Sequence, residues 1–269
     1  MKRALLFCSL CLLAACNNVN KEEARLLKSP GDILQMDFYL DADGVPTYTL
    51  DRGEVEVMLP SALGFELRGV VKAQGLKYDG DKPVKYDEAD PYFFNSGFEL
   101  LGAEEGTLDE TWSPVWGEEE QIRNNYNELL VRLRHKADGK LMDIRFRLYD
   151  DGMGFRYEFP AQEMTHFVIK EELSEFNCAQ DNMAWWIPGD FDNNELLYAT
   201  TKLSEVKPSF MEHMNPNNAS TTMFSTSAVQ TSLQMKTPEG LYVNIHEAAL
   251  VDYPCMHLNV DGKKLSSVL

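Results

Sequence analysis

Apolar and polar residues alternate with a period of two in one short stretch of the chain after another. Met36, Phe38 and Leu40 alternate with polar neighbours, Asp43-Gly44 supplies a turn, and Tyr48 and Leu50 resume the pattern beyond it. Leu63, Phe65 and Leu67 alternate again. Ile144, Phe146 and Leu148 lead to a turn at Asp150-Asp151-Gly152, and Phe155, Tyr157 and Phe159 continue on its far side. Leu241, Val243 and Ile245 form a late strand, and Asp261-Gly262 looks like a hairpin turn. Successive side chains of a strand point to opposite faces, so this period marks strands with one buried face. Short strands separated by Gly and Asp turns predict an all-β, antiparallel sandwich.

Between Glu118 and Lys136 two periods compete. Ile122, Tyr126, Leu129 and Leu133 have helical spacing, whereas Leu129, Val131 and Leu133 alternate. With strands on both sides, an extended lead-in followed by a strand is expected. Asn215 to Ser227, rich in Asn, Ser and Thr, reads as a loop. No internal repeat or interior domain boundary shows in the pattern.

The first residues depart from it. Lys2 and Arg3 precede Ala4 to Leu13, an apolar run too short to anchor stably across a bilayer. Leu13-Ala14-Ala15-Cys16 then matches a bacterial lipobox. The expected organisation is a lipoprotein signal peptide over 1–15, a polar tether over 16–28 starting at a lipidated Cys16, and a β-sandwich domain over 29–269. Such a protein sits in the periplasm or at the outer membrane, held by its acyl chains.

Composition narrows the partners. The formal charge of −18 makes nucleic acid a poor ligand, because binding phosphates needs a basic face. The acidity suits neutral or cationic ligands, Ca²⁺ among them, or serves solubility alone. Beyond Cys16, the cysteines are Cys178 and Cys255, and both a disulfide and two free thiols fit an oxidising compartment. No Cys/His spacing for a metal is present.

Five separated blocks are more specific. They are Asp109-Glu110-Thr111-Trp112-Ser113-Pro114-Val115-Trp116-Gly117-Glu118 with Ile122-Arg123-Asn124 and Tyr126-Asn127-Glu128-Leu129; Ile144 to Leu148 running into Asp151-Gly152-Met153-Gly154-Phe155-Arg156-Tyr157; Phe167-Val168-Ile169-Lys170-Glu171-Glu172; Trp186-Ile187-Pro188-Gly189-Asp190-Phe191-Asp192 ahead of Glu195; and His246-Glu247-Ala248-Ala249-Leu250-Val251-Asp252-Tyr253 ahead of Cys255-Met256-His257-Leu258. In this order they resemble the N-terminal domain of glycoside hydrolase family 97, over roughly Ser29 to Asp261.

The resemblance implies a galactose-mutarotase-like β-super-sandwich, followed in the family by a catalytic (β/α)8 barrel. A barrel needs about 250 residues, so it is expected to be absent from this chain, and no catalytic residue is assigned here. The implied function is an active-site-completing, carbohydrate-binding domain of an α-glucosidase-like enzyme acting on starch-type oligosaccharides, inactive without the barrel. A stand-alone carbohydrate-binding lipoprotein is the alternative. A mutarotase-like epimerase has less support, since such enzymes need a His and carboxylate set and only five His are present.

In inverting relatives a glutamate just after the Trp-Ile-Pro-Gly-Asp stretch ligates Ca²⁺. The resemblance places that role on Glu195, with the Ca²⁺ shared with the barrel. Asp190, Asp192 and Asn193 are either part of a calcium loop or a turn built from Asx residues. Trp112, Trp116, Trp185 and Trp186 are either a sugar-stacking platform or core, with Trp116 the main substrate-binding candidate because Pro114 and Gly117 flank it. Arg123 either hydrogen-bonds a sugar hydroxyl or bridges to a carboxylate. His246 and Glu247 are adjacent, so on a strand they face opposite ways and cannot serve one site.

Overall fold

The structure is a computed structural model that describes residues 24–71, 78–79, 82–83, 91–164, 166–214 and 225–269. The expected loop at 215–227 and the leader with Cys16 lie wholly or mostly outside them.

The chain opens with a meander. Strands β1 (Arg25–Lys28), β2 (Leu34–Leu40), β3 (Pro46–Arg52) and β4 (Val55–Ala62) pair in sequence order, all antiparallel. The tether expected over 16–28 therefore needs correction. Leu27 is buried and β1 is registered against β2, so the domain begins by Arg25. The strand β5 (Phe65–Val71) follows, then a small pair, β6 (Tyr78–Asp79) with β7 (Lys82–Pro83), and β8 (Tyr92–Phe94).

Next come the long strands. β9 (Phe98–Trp112) and β10 (Ile122–His135) form a hairpin, and β11 (Leu141–Leu148) and β12 (Met153–Glu158) complete the sheet β12-β11-β10-β9. The ambiguous segment is thus a strand, starting at Ile122. Leu129, Val131 and Leu133 are fully buried, as the period of two requires.

β13 (His166–Glu172) joins the sheet β13-β5-β8. β14 (Met183–Trp186), β15 (Ala199–Lys202), the short helix α1 (Leu203–Ser209), β16 (Ala228–Gln230), β17 (Leu233–Lys236), β18 (Tyr242–Ile245), β19 (His257–Asp261) and β20 (Lys264–Val268) follow. They build two further antiparallel sheets, β15-β14-β17-β18 and β16-β19-β20.

The meander and the long-stranded sheet pack face to face. Phe146 lies between Phe38 and Tyr48, with ring centroids 5.7 and 6.4 Å away, and Tyr48 reaches Phe155 at 6.0 Å. The buried Tyr48 hydroxyl donates to the Glu175 carbonyl at 3.0 Å, which satisfies its polar end. Two glycines are forced by close approach. At Gly44 (φ +72°) a Cβ would stand 2.6 Å from the Phe98 carbonyl, and at Gly64 (φ +150°) 2.5 Å from the Asn95 Cα.

Candidate functional site

The loop between β14 and β15 carries Glu195. It starts rigidly, because Gly189 N–H donates to Ala228 O at 2.7 Å and Pro188 bridges to Val229. Asp190 is 4% exposed, and its Oδ1 accepts the backbone N–H groups of Asp192 (2.9 Å) and Asn193 (3.1 Å). Asn193 Oδ1 in turn accepts the Glu195 N–H at 2.7 Å. Gln230 Nε2 donates to the carbonyls of Pro188 and Asn193 at 3.1 and 3.0 Å. These are successive Asx turns, so Asp190 and Asn193 do the local work of shaping the loop. Leu196 is buried beneath it, while Glu195, Phe191, Leu197 and Tyr198 face solvent. The loop therefore presents the carboxylates of Asp192 and Glu195 on a fixed backbone beside exposed apolar side chains.

A second loop lies alongside. Gln230 and His257 are cross-strand partners, and His257 Nε2 donates to Asp190 O at 3.2 Å. Thr231 Oγ1 donates to Met256 O at 2.7 Å, and Glu247 Oε2 accepts the Met256 N–H at 3.0 Å. This loop exposes Leu250 and Val251. His246 and Glu247 fall just past the end of β18 rather than on it. They still turn to different partners, since His246 Nδ1 meets Asn244 Oδ1 at 2.9 Å.

Ca²⁺ takes six to eight oxygen ligands. Among the described residues no group of three or more His, Cys, Asp or Glu could hold a metal. Asp190 Oδ1 is committed to backbone N–H groups, and the loop adds the exposed carboxylates of Asp192 and Glu195.

The other candidates lie apart from Glu195 in the sequence and on other elements. Trp116 sits at the tip of the β9–β10 hairpin and is 86% exposed, and Trp112 is half-exposed. Arg123 forms a two-point bridge to Asp109 across the hairpin, Nε and Nη2 donating at 2.8 and 2.7 Å. Its fork is held by a carboxylate, the structural option. Trp185 and Trp186 are split by the strand alternation: Trp186 is core and donates to Thr201 Oγ1 at 3.0 Å, while Trp185 faces outward. Cys178 is buried and Cys255 exposed, both as free thiols.

One polar cluster escaped the sequence reading. Glu172 accepts from Ser174 Oγ (2.5 Å) and Tyr253 OH (2.8 Å), and Ser174 Oγ lies 2.7 Å from Tyr157 OH. Burial pushes the Glu172 carboxyl up, against the lowering effect of these hydroxyls. Its members come from residues 157, 172–174 and 253, and no local motif joins such distant positions.

Fold and site together define a β-sandwich module with long, well-anchored loops. The particular family follows from comparison. Residues 27–268 match the glycosyl-hydrolase 97 N-terminal family, and the chain belongs to it. A glycoside hydrolase family 97 enzyme from Pseudoalteromonas sp. strain K8, solved in complex with acarbose, is 25% identical with a TM-score of 0.72, covering 91% of this chain and 32% of that one. A variant of it in complex with panose gives 0.70 at the same identity and coverage. A β-arabinopyranosidase, 16% identical with a TM-score of 0.65 over 91% of this chain and 35% of that one, shares the fold. The chain thus spans about a third of the length of these solved relatives.

Proposed function

We propose that this chain completes the active site of an α-glucosidase-like enzyme of family 97 acting on starch-type, α-linked oligosaccharides. Its partner is a catalytic (β/α)8 barrel of the full-length protein. The observation that carries the reading is the match over nearly the whole described domain to a family of which one solved enzyme was captured with acarbose and, as a variant, with panose. The rigid loop bearing Glu195 supports it, since a domain that completes a neighbour's site needs a preorganised side chain at its surface. In this reading Glu195 supplies one carboxylate to a Ca²⁺ site whose other ligands lie outside this chain. Trp116, at the hairpin tip, contacts the sugar or the barrel beside it, and Arg123 holds the hairpin through Asp109. Glycoside hydrolysis requires a paired acid and base, and in this reading the barrel supplies that pair. A lipid on Cys16 anchors the mature protein at the outer membrane or in the periplasm.

The test compares two proteins on p-nitrophenyl α-glucoside. The full-length protein turns it over, and residues 17–269 alone do not. A full-length protein without hydrolysis of any α-glycoside overturns the proposal, and leaves the stand-alone binding lipoprotein in its place.

A further inference from the structure

The solvent face of the sheet β15-β14-β17-β18 has an unusual composition. In a chain with 43 acidic residues, these four strands contain no aspartate or glutamate. Alternation sends Met183 and Trp185 of β14 outward, with Gln234 and Lys236 of β17 and Tyr242 and Asn244 of β18. The register sets Trp185, Gln234 and Asn244 in one row across the sheet. The rings of Trp185 and Tyr242 lie 6.3 Å apart and only 19° from parallel, with Tyr242 60% exposed. Lys236 Nζ lies 5.1 Å from the Tyr242 ring centroid. Beside the rings runs a row of polar groups: Asn244 Nδ2 donates to Gln234 Oε1 at 3.0 Å, and His246 Nδ1 meets Asn244 Oδ1 at 2.9 Å.

We propose that this face is a saccharide-binding platform. The near-parallel rings of Trp185 and the exposed Tyr242 offer aromatic faces to the C–H face of a pyranose, and the Gln234–Asn244–His246 row hydrogen-bonds the ring hydroxyls. The ligand is a neutral oligosaccharide. Aromatic faces would also suit nucleic-acid bases, but a net charge of −18 repels their phosphates. With no carboxylate in these four strands, the amide donors have no acidic competitor on their own strands. The choice of an α-linked sugar rests on the family 97 reading, whereas the platform rests on the geometry of this sheet.

The experiment is isothermal titration of the chain, residues 17–269, with maltoheptaose, and with cellohexaose as the β-linked control. Maltoheptaose should bind, and Tyr242→Ala and Trp185→Ala should each weaken it about tenfold, with the melting temperature of Tyr242→Ala unchanged. Phe93→Ala, the loss of an exposed aromatic ring on β8, should leave this binding as in the wild type. Equal binding of both sugars upholds the platform and counts against the α-glucan reading. No binding of either sugar, or binding indifferent to both platform variants, overturns the proposal. Self-association of the chain that these variants abolish also overturns it, by giving the face to a second copy.

Discussion

At the residue scale, Glu195 is an exposed loop carboxylate, and among the described residues no group of three or more His, Cys, Asp or Glu could hold a metal. One carboxylate cannot strip Ca²⁺ of its water shell. In the full-length protein, Glu195→Ala should weaken Ca²⁺ affinity and lower activity together, read by calcium titration of both. In the isolated chain the same change should alter neither stability nor metal binding. Identical half-saturation and rates in the full-length pair would make Glu195 an ordinary surface charge. Gly64 provides a contrasting case. Its φ of +150° and the 2.5 Å approach to Asn95 leave no room for a methyl group, so Gly64→Ala should cost roughly 2–4 kcal/mol. Gly139 has φ +74° with open space around it, and Gly139→Ala should cost only about 1 kcal/mol. Urea midpoints of the two variants check the order.

At the element scale, the β9–β10 hairpin outruns its sheet. β11 pairs with β10 only from Asn127 to Arg134, so the part from Ile122 to Tyr126 has β9 as its only ladder partner, with Tyr149 packed on Tyr126 at 5.3 Å where the arm leaves the sheet. A two-stranded arm is marginal in water, and Arg123–Asp109 and Asn124–Glu110 pair across this one. Trp116, at its exposed tip, contributes little to the fold. Trp116→Ala should therefore leave the melting temperature within a degree or so, while lowering kcat/KM in the full-length enzyme. An unchanged kcat/KM would remove Trp116 from the substrate site. The body of the sheet carries a ladder of charges. Arg145 and Arg156 hold the Glu158 carboxyl down at about 2. Arg145 and Arg147 also hold Glu128 low, against burial that would raise it. A depressed carboxyl stabilises the fold above its ordinary value of 4.5, and that contribution disappears as the pH falls towards about 2. Arg145→Met should flatten this acid limb of the urea midpoint against pH, and an unchanged slope would show that the ladder is energetically idle.

At the scale of the whole molecule, the covered family region begins at residue 27, and β1 pairs into the meander from Arg25. A lipid at Cys16 would then stand nine positions before the first strand, a tether of at most about 30 Å. Cys16→Ser should move the protein from the membrane fraction of its host to the soluble fraction, checked by fractionation and metabolic labelling with a fatty acid. Retention in the membrane with acylation intact would exclude Cys16 as the anchor.

The sequence by itself determined the class of fold and most strand positions, because burial of one face writes a period of two into the chain. Met36, Phe38, Tyr48, Ile144, Phe146 and Leu148 all face the core as that period predicts. It also determined the family, through blocks whose order no short-range rule generates. It left open which Trp of the 185–186 pair is core, whether Arg123 is spoken for, and whether Asp190 points at a metal or at its own backbone. Tertiary structure decided these, since each depends on a partner brought from elsewhere: Thr201 for Trp186, Asp109 for Arg123, and for the Asp190 turn the Gln230 amide that fixes its loop. The Glu172 cluster and the Trp185–Tyr242 face lie wholly on that side of the line. Their members are distant in sequence and become neighbours only when separate strands are set in register.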